Sequence, residues 1–63
     1  MSVGENIKKM RERRNLTQHE LSEKVGITQS MLCQIEAGLK FPSFPVAVQI
    51  AKALNCTTDE LAQ

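Results

Sequence analysis

Apolar residues along this chain recur three or four positions apart and almost never alternate with polar ones, which is the periodicity of half-buried helices. Val3, Ile7 and Met10 begin the series, and Leu21 with Val25, then Leu32 with Ile35, make two short pairs. Phe44, Ala47, Val48, Ile50, Ala51 and Leu54 form a longer stripe, and Leu61 closes the pattern. Five helices are predicted. Ser2 with Glu5, and Thr17 with Glu20, have the spacing of capping boxes, where hydroxyl and carboxylate each take a backbone N–H that the first turn leaves without a partner. Asn15 tolerates the left-handed conformation that ends a helix, and Gly26 and Gly38 supply the same stop for the second and third. Thr28 is the N-cap of the third helix. Pro42 marks a loop, Ser43 caps the fourth helix, and Pro45 sits in its first turn, where a missing N–H costs little. Thr57 and Glu60 start a short fifth helix ending with Leu61. The fold class is therefore all-α, with residues 1–63 as one domain lacking strand, linker or repeat.

The second and third helices carry the most information. Leu21, Val25, Ile27, Leu32 and Ile35 are placed to converge into one cluster that sets the angle between them. Ser22 is small enough for close approach, and Gly26 permits a turn that a Cβ would strain. Leu32, Ile35 and Glu36 then point inward, while Gln29, Ser30, Cys33, Gln34 and Ala37 face out. A helix with an uncharged, hydrogen-bonding outer face is suited to enter a groove and read base edges.

Composition narrows the alternatives. With 63 residues, 41% of them apolar and no Trp or Tyr, the chain has material for one small core. No apolar run approaches the ~20 residues of a membrane span, and the N-terminus lacks the apolar segment of a signal peptide. A cytoplasmic protein with no membrane partner is expected. Two cysteines, Cys33 and Cys56, and one histidine offer neither a disulfide framework nor a metal site, and no cofactor or small-molecule ligand is expected. No nucleophile–base set, paired carboxylates or phosphate loop argues for an enzyme. Net charge is only +1, but residues 1–14 carry five basic side chains against two acidic ones, and residues 15–63 carry three against five. That polarity can orient a protein on an anionic partner, although a solvated first helix would look the same.

Taken in order, Leu16-Thr17-Gln18, Glu20-Leu21, Val25-Gly26-Ile27, Gln34-Ile35-Glu36-x-Gly38, Pro42 and Ile50-Ala51-x-Ala53-Leu54 make residues 7–61 resemble the Cro/CI-type helix-turn-helix family, the XRE or lambda-repressor-like DNA-binding domains. Ser22 stands where the family usually has Ala, and Cys33 where a Ser is common; both are small and leave the packing intact. The resemblance implies a compact five-helix lambda-repressor-like domain with its helix-turn-helix at helices two and three. It also implies a sequence-specific regulator of transcription, a repressor that inserts helix three into the major groove of double-stranded DNA as a homodimer.

The same resemblance assigns residues. Gln29, Ser30 and Gln34 fall where the family reads bases. A glutamine amide can bond adenine N6 and N7 together, worth ~1–3 kcal/mol of discrimination, whereas a serine hydroxyl accepts any base. Cys33 and Met31 are further base or sugar contacts to consider. Cys33 is read as a passive apolar group, because no flanking cation activates it. For Met31, core packing and sugar contact both stand open. Gln18 and Lys40 are the expected phosphate anchors, with Arg14 and the Thr17 hydroxyl as weaker ones, while His19 is read as a plain surface residue. Arg11 is paired with Glu36 in a structural ion pair that clamps helix one to helix three and takes Arg11 out of the DNA contacts. One module covers only ~600–1,000 Å² of DNA, so useful specificity calls for a dimer. Leu39, Phe41, Phe44 and Val46 are the candidate dimer surface, together with the C-terminal helix, against the ordinary alternative that both phenylalanines are buried. The rival function is a protein-interaction or antitoxin-type module on the same scaffold.

Overall fold

In the computed structural model, which describes residues 2–62, the chain forms α1 (Val3–Arg13), α2 (Gln18–Val25), α3 (Gln29–Glu36), α4 (Phe44–Ala53) and α5 (Thr58–Ala62), with no strand among the described residues. The helix boundaries follow local chemistry. At α1 the Glu5 N–H donates to Ser2 Oγ at 3.1 Å, and the Ser2 N–H donates back to the Glu5 carboxylate at 3.3 Å. The Thr17–Glu20 box is tighter, at 3.0 and 2.8 Å, and Thr57–Glu60 repeats it ahead of α5. Thr28 Oγ1 accepts the Met31 N–H at 3.0 Å and opens α3. Asn15 (φ 57), Gly26 (φ 86) and Gly38 (φ 79) take the left-handed conformation just beyond α1, α2 and α3. Ser43 stands at the N-cap of α4, but its hydroxyl makes no capping hydrogen bond. Pro45 is the second residue of that helix and lacks one of the two N–H groups such a hydroxyl normally serves.

The core draws on every helix: Ile7 from α1, Leu21 from α2, Leu32 and Ile35 from α3, Ile50 and Ala51 from α4 with Leu54 at its C-cap, and Leu61 from α5. Val25, the last residue of α2, and Ile27, in the turn that follows, pack against it. α3 lies against both α1 and α2, and α4 bridges α2 and α5. Two contacts seat α1 closely. A Cβ at Gly4 would meet the carbonyl oxygens of Ile35 and Glu36, the latter at 2.8 Å. The buried Asn6 side chain donates from Nδ2 to the Leu61 carbonyl at 2.8 Å, tying α1 to α5. Ser22 is buried beneath α2 and its hydroxyl donates to the His19 carbonyl at 2.8 Å, so close approach leaves no orphaned polar group.

One part of the predicted stripe on α4 is not buried. Ala47 and Val48 are half-buried and Ile50, Ala51 and Leu54 are buried, but Phe44 is 75% exposed. It shares a face with Ala51 yet lies two turns before it, about 10 Å further along the axis, beyond the end of the core.

Candidate nucleic-acid interface

The outer face of α3 is built from its two ends. Thr28 fixes the entry, so Gln29 and Ser30 occupy the first turn and both are exposed; Cys33, Gln34 and Ala37 follow on the same side and are also exposed. Leu32 and Ile35 are fully buried behind them, and Glu36 is nearly so. The three predicted base readers are thus brought together on one solvent-facing strip that carries no charge. Met31 is half-buried and packs against the core from the edge of this face.

The helix is held at its angle by a polar network as well as by the core. Arg11 Nε donates to Glu36 Oε2 at 2.8 Å and its Nη2 to Oε1 at 3.1 Å, a bidentate ion pair with both side chains largely buried. Its remaining Nη1 donates to the Leu16 carbonyl at 2.8 Å, fastening the connection into α2. The hydrogen bond to Glu36 holds the guanidinium above its ordinary pKa against the opposing effect of burial. Gln18 joins the network from α2, donating from Nε2 to Glu36 Oε1 at 3.0 Å. This bond modifies the anchoring role expected of Gln18. A carboxylate only accepts, so the amide orientation is dictated, and one of its two N–H groups faces inward rather than toward a phosphate.

The other predicted anchors stand apart from this network. Lys40 is exposed in the loop after α3, and Arg14 is exposed at the C-cap of α1. The Thr17 hydroxyl accepts the Glu20 N–H and keeps only its own proton to offer. His19 is exposed, with Nε2 3.5 Å from Glu23 Oε2 one turn on, a surface pair of little energetic weight. Cys33 borders a shallow depression of about 200 Å³ with Lys8, Gln18, Glu36 and Ala37. Lys8 was not singled out in the sequence, and it places a cation from α1 at the depression that Cys33 borders. The clue was its position three residues before Arg11, on the side of α1 that meets α3.

Of the candidate dimer surface, Val46 is half-buried and packs on the core, whereas Leu39, Phe41 and Phe44 are 80%, 81% and 75% exposed. The alternative of two buried phenylalanines is overturned. No described helix is long and apolar enough to cross a membrane.

Residues 7–61 match the model of the helix-turn-helix family HTH_3. An immunity repressor protein of Bacillus phage phi105 is 41% identical over 55 residues, covering 87% of this chain and 38% of that protein. An uncharacterized HTH-type transcriptional regulator of Mycobacterium tuberculosis is 38% identical over 58 residues, covering 92% of this chain and 41% of that protein. The chain therefore spans less than half the length of these two relatives. The P22 c2 repressor, solved in complex with a synthetic operator, superposes with a TM-score of 0.95 at 27% identity, over 100% of this chain and 96% of that one.

Proposed function

The chain belongs to the helix-turn-helix family, and from that premise we propose that it is a sequence-specific double-stranded DNA-binding regulator of transcription, a repressor acting as a homodimer in the cytoplasm without catalysis or cofactor. One observation carries the reading: α3 presents Gln29, Ser30 and Gln34 outward on an uncharged strip, while Leu32, Ile35 and the Arg11–Glu36 pair hold the helix from behind. Rigid backing lets short polar side chains discriminate bases, because a displaced reader loses its paired hydrogen bonds. The repressor role is supported by the likeness to the phi105 immunity repressor and to the operator-bound P22 c2 repressor. In this reading Gln29 and Gln34 read bases, Ser30 adds a permissive contact, and Cys33 lies beside them as a small group. Lys40 neutralises a phosphate, with Arg14, the Thr17 hydroxyl and the free N–H of Gln18 in support.

The test is a selection from randomised duplexes followed by variant binding across salt. Gln29→Ala or Gln34→Ala will relax preference at particular base pairs, by ~1–3 kcal/mol each. Lys40→Ala will weaken binding to every sequence and flatten the log–log salt slope by about one. If all three variants behave alike, the division into readers and anchors is wrong. Absence of any duplex binding at low salt would favour the protein-interaction or antitoxin-type module instead.

A further inference from the structure

We propose that Lys8 anchors the DNA backbone: the depression between α1, α2 and α3 receives one phosphate, which the Lys8 ammonium neutralises and the uncommitted N–H of Gln18 hydrogen-bonds. The inference deepens the reading above, which does not count Lys8 among its anchors, and it rests on that reading for its ligand. The Lys8 side chain is exposed and makes no hydrogen bond or ion pair with another described residue. Glu5, one turn before it, is turned back to Ser2, and Glu12, one turn after it, forms no ion pair with it. Its place on α1 fixes where the charge appears. Gly4, Lys8 and Arg11 follow one another at intervals of four and three and so share one face of the helix. Gly4 closes that face against the Ile35 and Glu36 carbonyls, and Arg11 is held by the Glu36 carboxylate. Lys8 stands between these two fixed points and emerges at the edge of α3, beside Cys33 and Ala37 of the solvent-facing strip.

The chemistry of the depression suits an anionic guest. Its volume is about 200 Å³ and its polar lining is Lys8, Gln18 and Glu36. Glu36 alone would repel a phosphate, but its charge is balanced by the Arg11 guanidinium and both its oxygens already accept hydrogen bonds. With that pair neutral as a unit, Lys8 leaves the depression one net positive charge. Gln18 contributes direction without charge: one Nε2 N–H is committed to Glu36, and the other remains for an acceptor. A backbone oxygen fits better than a base edge, because an ammonium is a point charge that cannot make the paired contacts by which bases are told apart. Lys8 also stands beside the second half of α3, whereas Gln29 and Ser30 occupy its first turn. Lys40 lines a separate recess with Ser2, Gly4 and Ile35 that shares no residue with this one, so the two lysines meet different phosphates.

Binding of the selected duplex and of a random duplex by Lys8→Ala, Lys8→Arg and Lys52→Ala across salt tests the proposal. Lys52 lines a different depression, at the α4–α5 connection, so its loss removes the same charge from another part of the surface. Lys8→Ala should keep the helical circular dichroism and the base preference of the wild type while weakening both duplexes alike. Its log–log salt slope should be flatter by about one, so that its affinity deficit shrinks roughly 3.5-fold between about 50 and 200 mM salt. Lys8→Arg should restore the wild-type slope, and Lys52→Ala should retain it. Duplexes with a single uncharged methylphosphonate, stepped along each strand, then locate the contact. One position should weaken the wild type but not Lys8→Ala, and it should differ from the position that is silent in Lys40→Ala. A wild-type slope in Lys8→Ala, an equal loss of slope in Lys52→Ala, or a methylphosphonate profile that Lys8→Ala leaves unchanged overturns the proposal and leaves base reading by α3 standing. A wild type that binds no duplex at low salt removes both.

Discussion

Glu36 accepts three N–H groups, two from Arg11 on α1 and one from Gln18 on α2. A carboxylate taken nearly out of water is tolerated because both of its oxygens are served. Removing one partner of such a pair costs ~3–5 kcal/mol, mostly the penalty of the charge left behind. Gly4 is the other residue whose role is set by what lies across from it. By intrinsic propensity Gly4→Ala would stabilise α1 by about 1 kcal/mol. The added Cβ, however, meets backbone carbonyls of Ile35 and Glu36 that cannot rotate away, and overpacking of that kind costs ~1–3 kcal/mol or more. The clash outweighs the propensity, so urea unfolding of Gly4→Ala should show a net loss of stability. A gain would mean that α1 can lift off α3 freely.

Helices of eight, eight and five residues, as α2, α3 and α5 are, fall well below the ~12–15 residues at which an isolated helix becomes even marginal. Their ends therefore matter as much as their faces. Glu5 and Glu20 titrate below the ordinary carboxylate value of 4.5, chiefly because each accepts the backbone N–H of its capping partner, Ser2 or Thr17. Stability from a depressed carboxylate pKa is fully present above the unfolded value and is lost as pH falls through the folded one. The melting temperature should thus drop below about pH 4.5, more steeply in the wild type than in a Glu5→Gln, Glu20→Gln variant. Glutamine keeps the accepting oxygen but does not titrate. Parallel melting curves for the two proteins across that range would remove the capping boxes from the acid response.

Among the described residues six large side chains are fully buried, Ile7, Leu21, Leu32, Ile35, Ile50 and Leu54, and the fold rests on them. A single core in a domain this small supplies no more than ~3–5 kcal/mol of net stability. Leu32→Ala removes ~2–5 kcal/mol, enough to use up most or all of it. Binding restores stability by mass action, ~2.7 kcal/mol when free duplex stands at a hundred times its dissociation constant. Leu32→Ala should consequently lose much of its helical circular dichroism alone and regain part of it with duplex DNA. Unchanged helicity in the absence of DNA would show a core with more reserve than its size implies.

The helices, most of their caps and the polar outer strip of α3 were legible in the chain because each is a short-range matter. A capping box joins residues three apart, the left-handed stops at Asn15, Gly26 and Gly38 depend on their own backbone, and the 3.6-residue period alone separates Leu32, Ile35 and Glu36 from Gln29, Ser30 and Gln34. Pairing Arg11 with Glu36 needed the family resemblance, since nothing in a spacing of 25 residues brings the two together. The rest was not legible. The Asn6 amide finds the Leu61 carbonyl across 55 residues, Gln18 turns one N–H inward to a carboxylate 18 residues on, and Lys8 reaches the depression beside Cys33 from a different helix. Phe41 and Phe44 make the difference plainest. Hydrophobicity dictates that such rings favour cover, but transfer out of water is equally favourable under the chain's own core or under another molecule. Chain order encodes the preference; the packed arrangement of five helices, whose core takes up α4 only beyond Phe44, leaves both rings outside it.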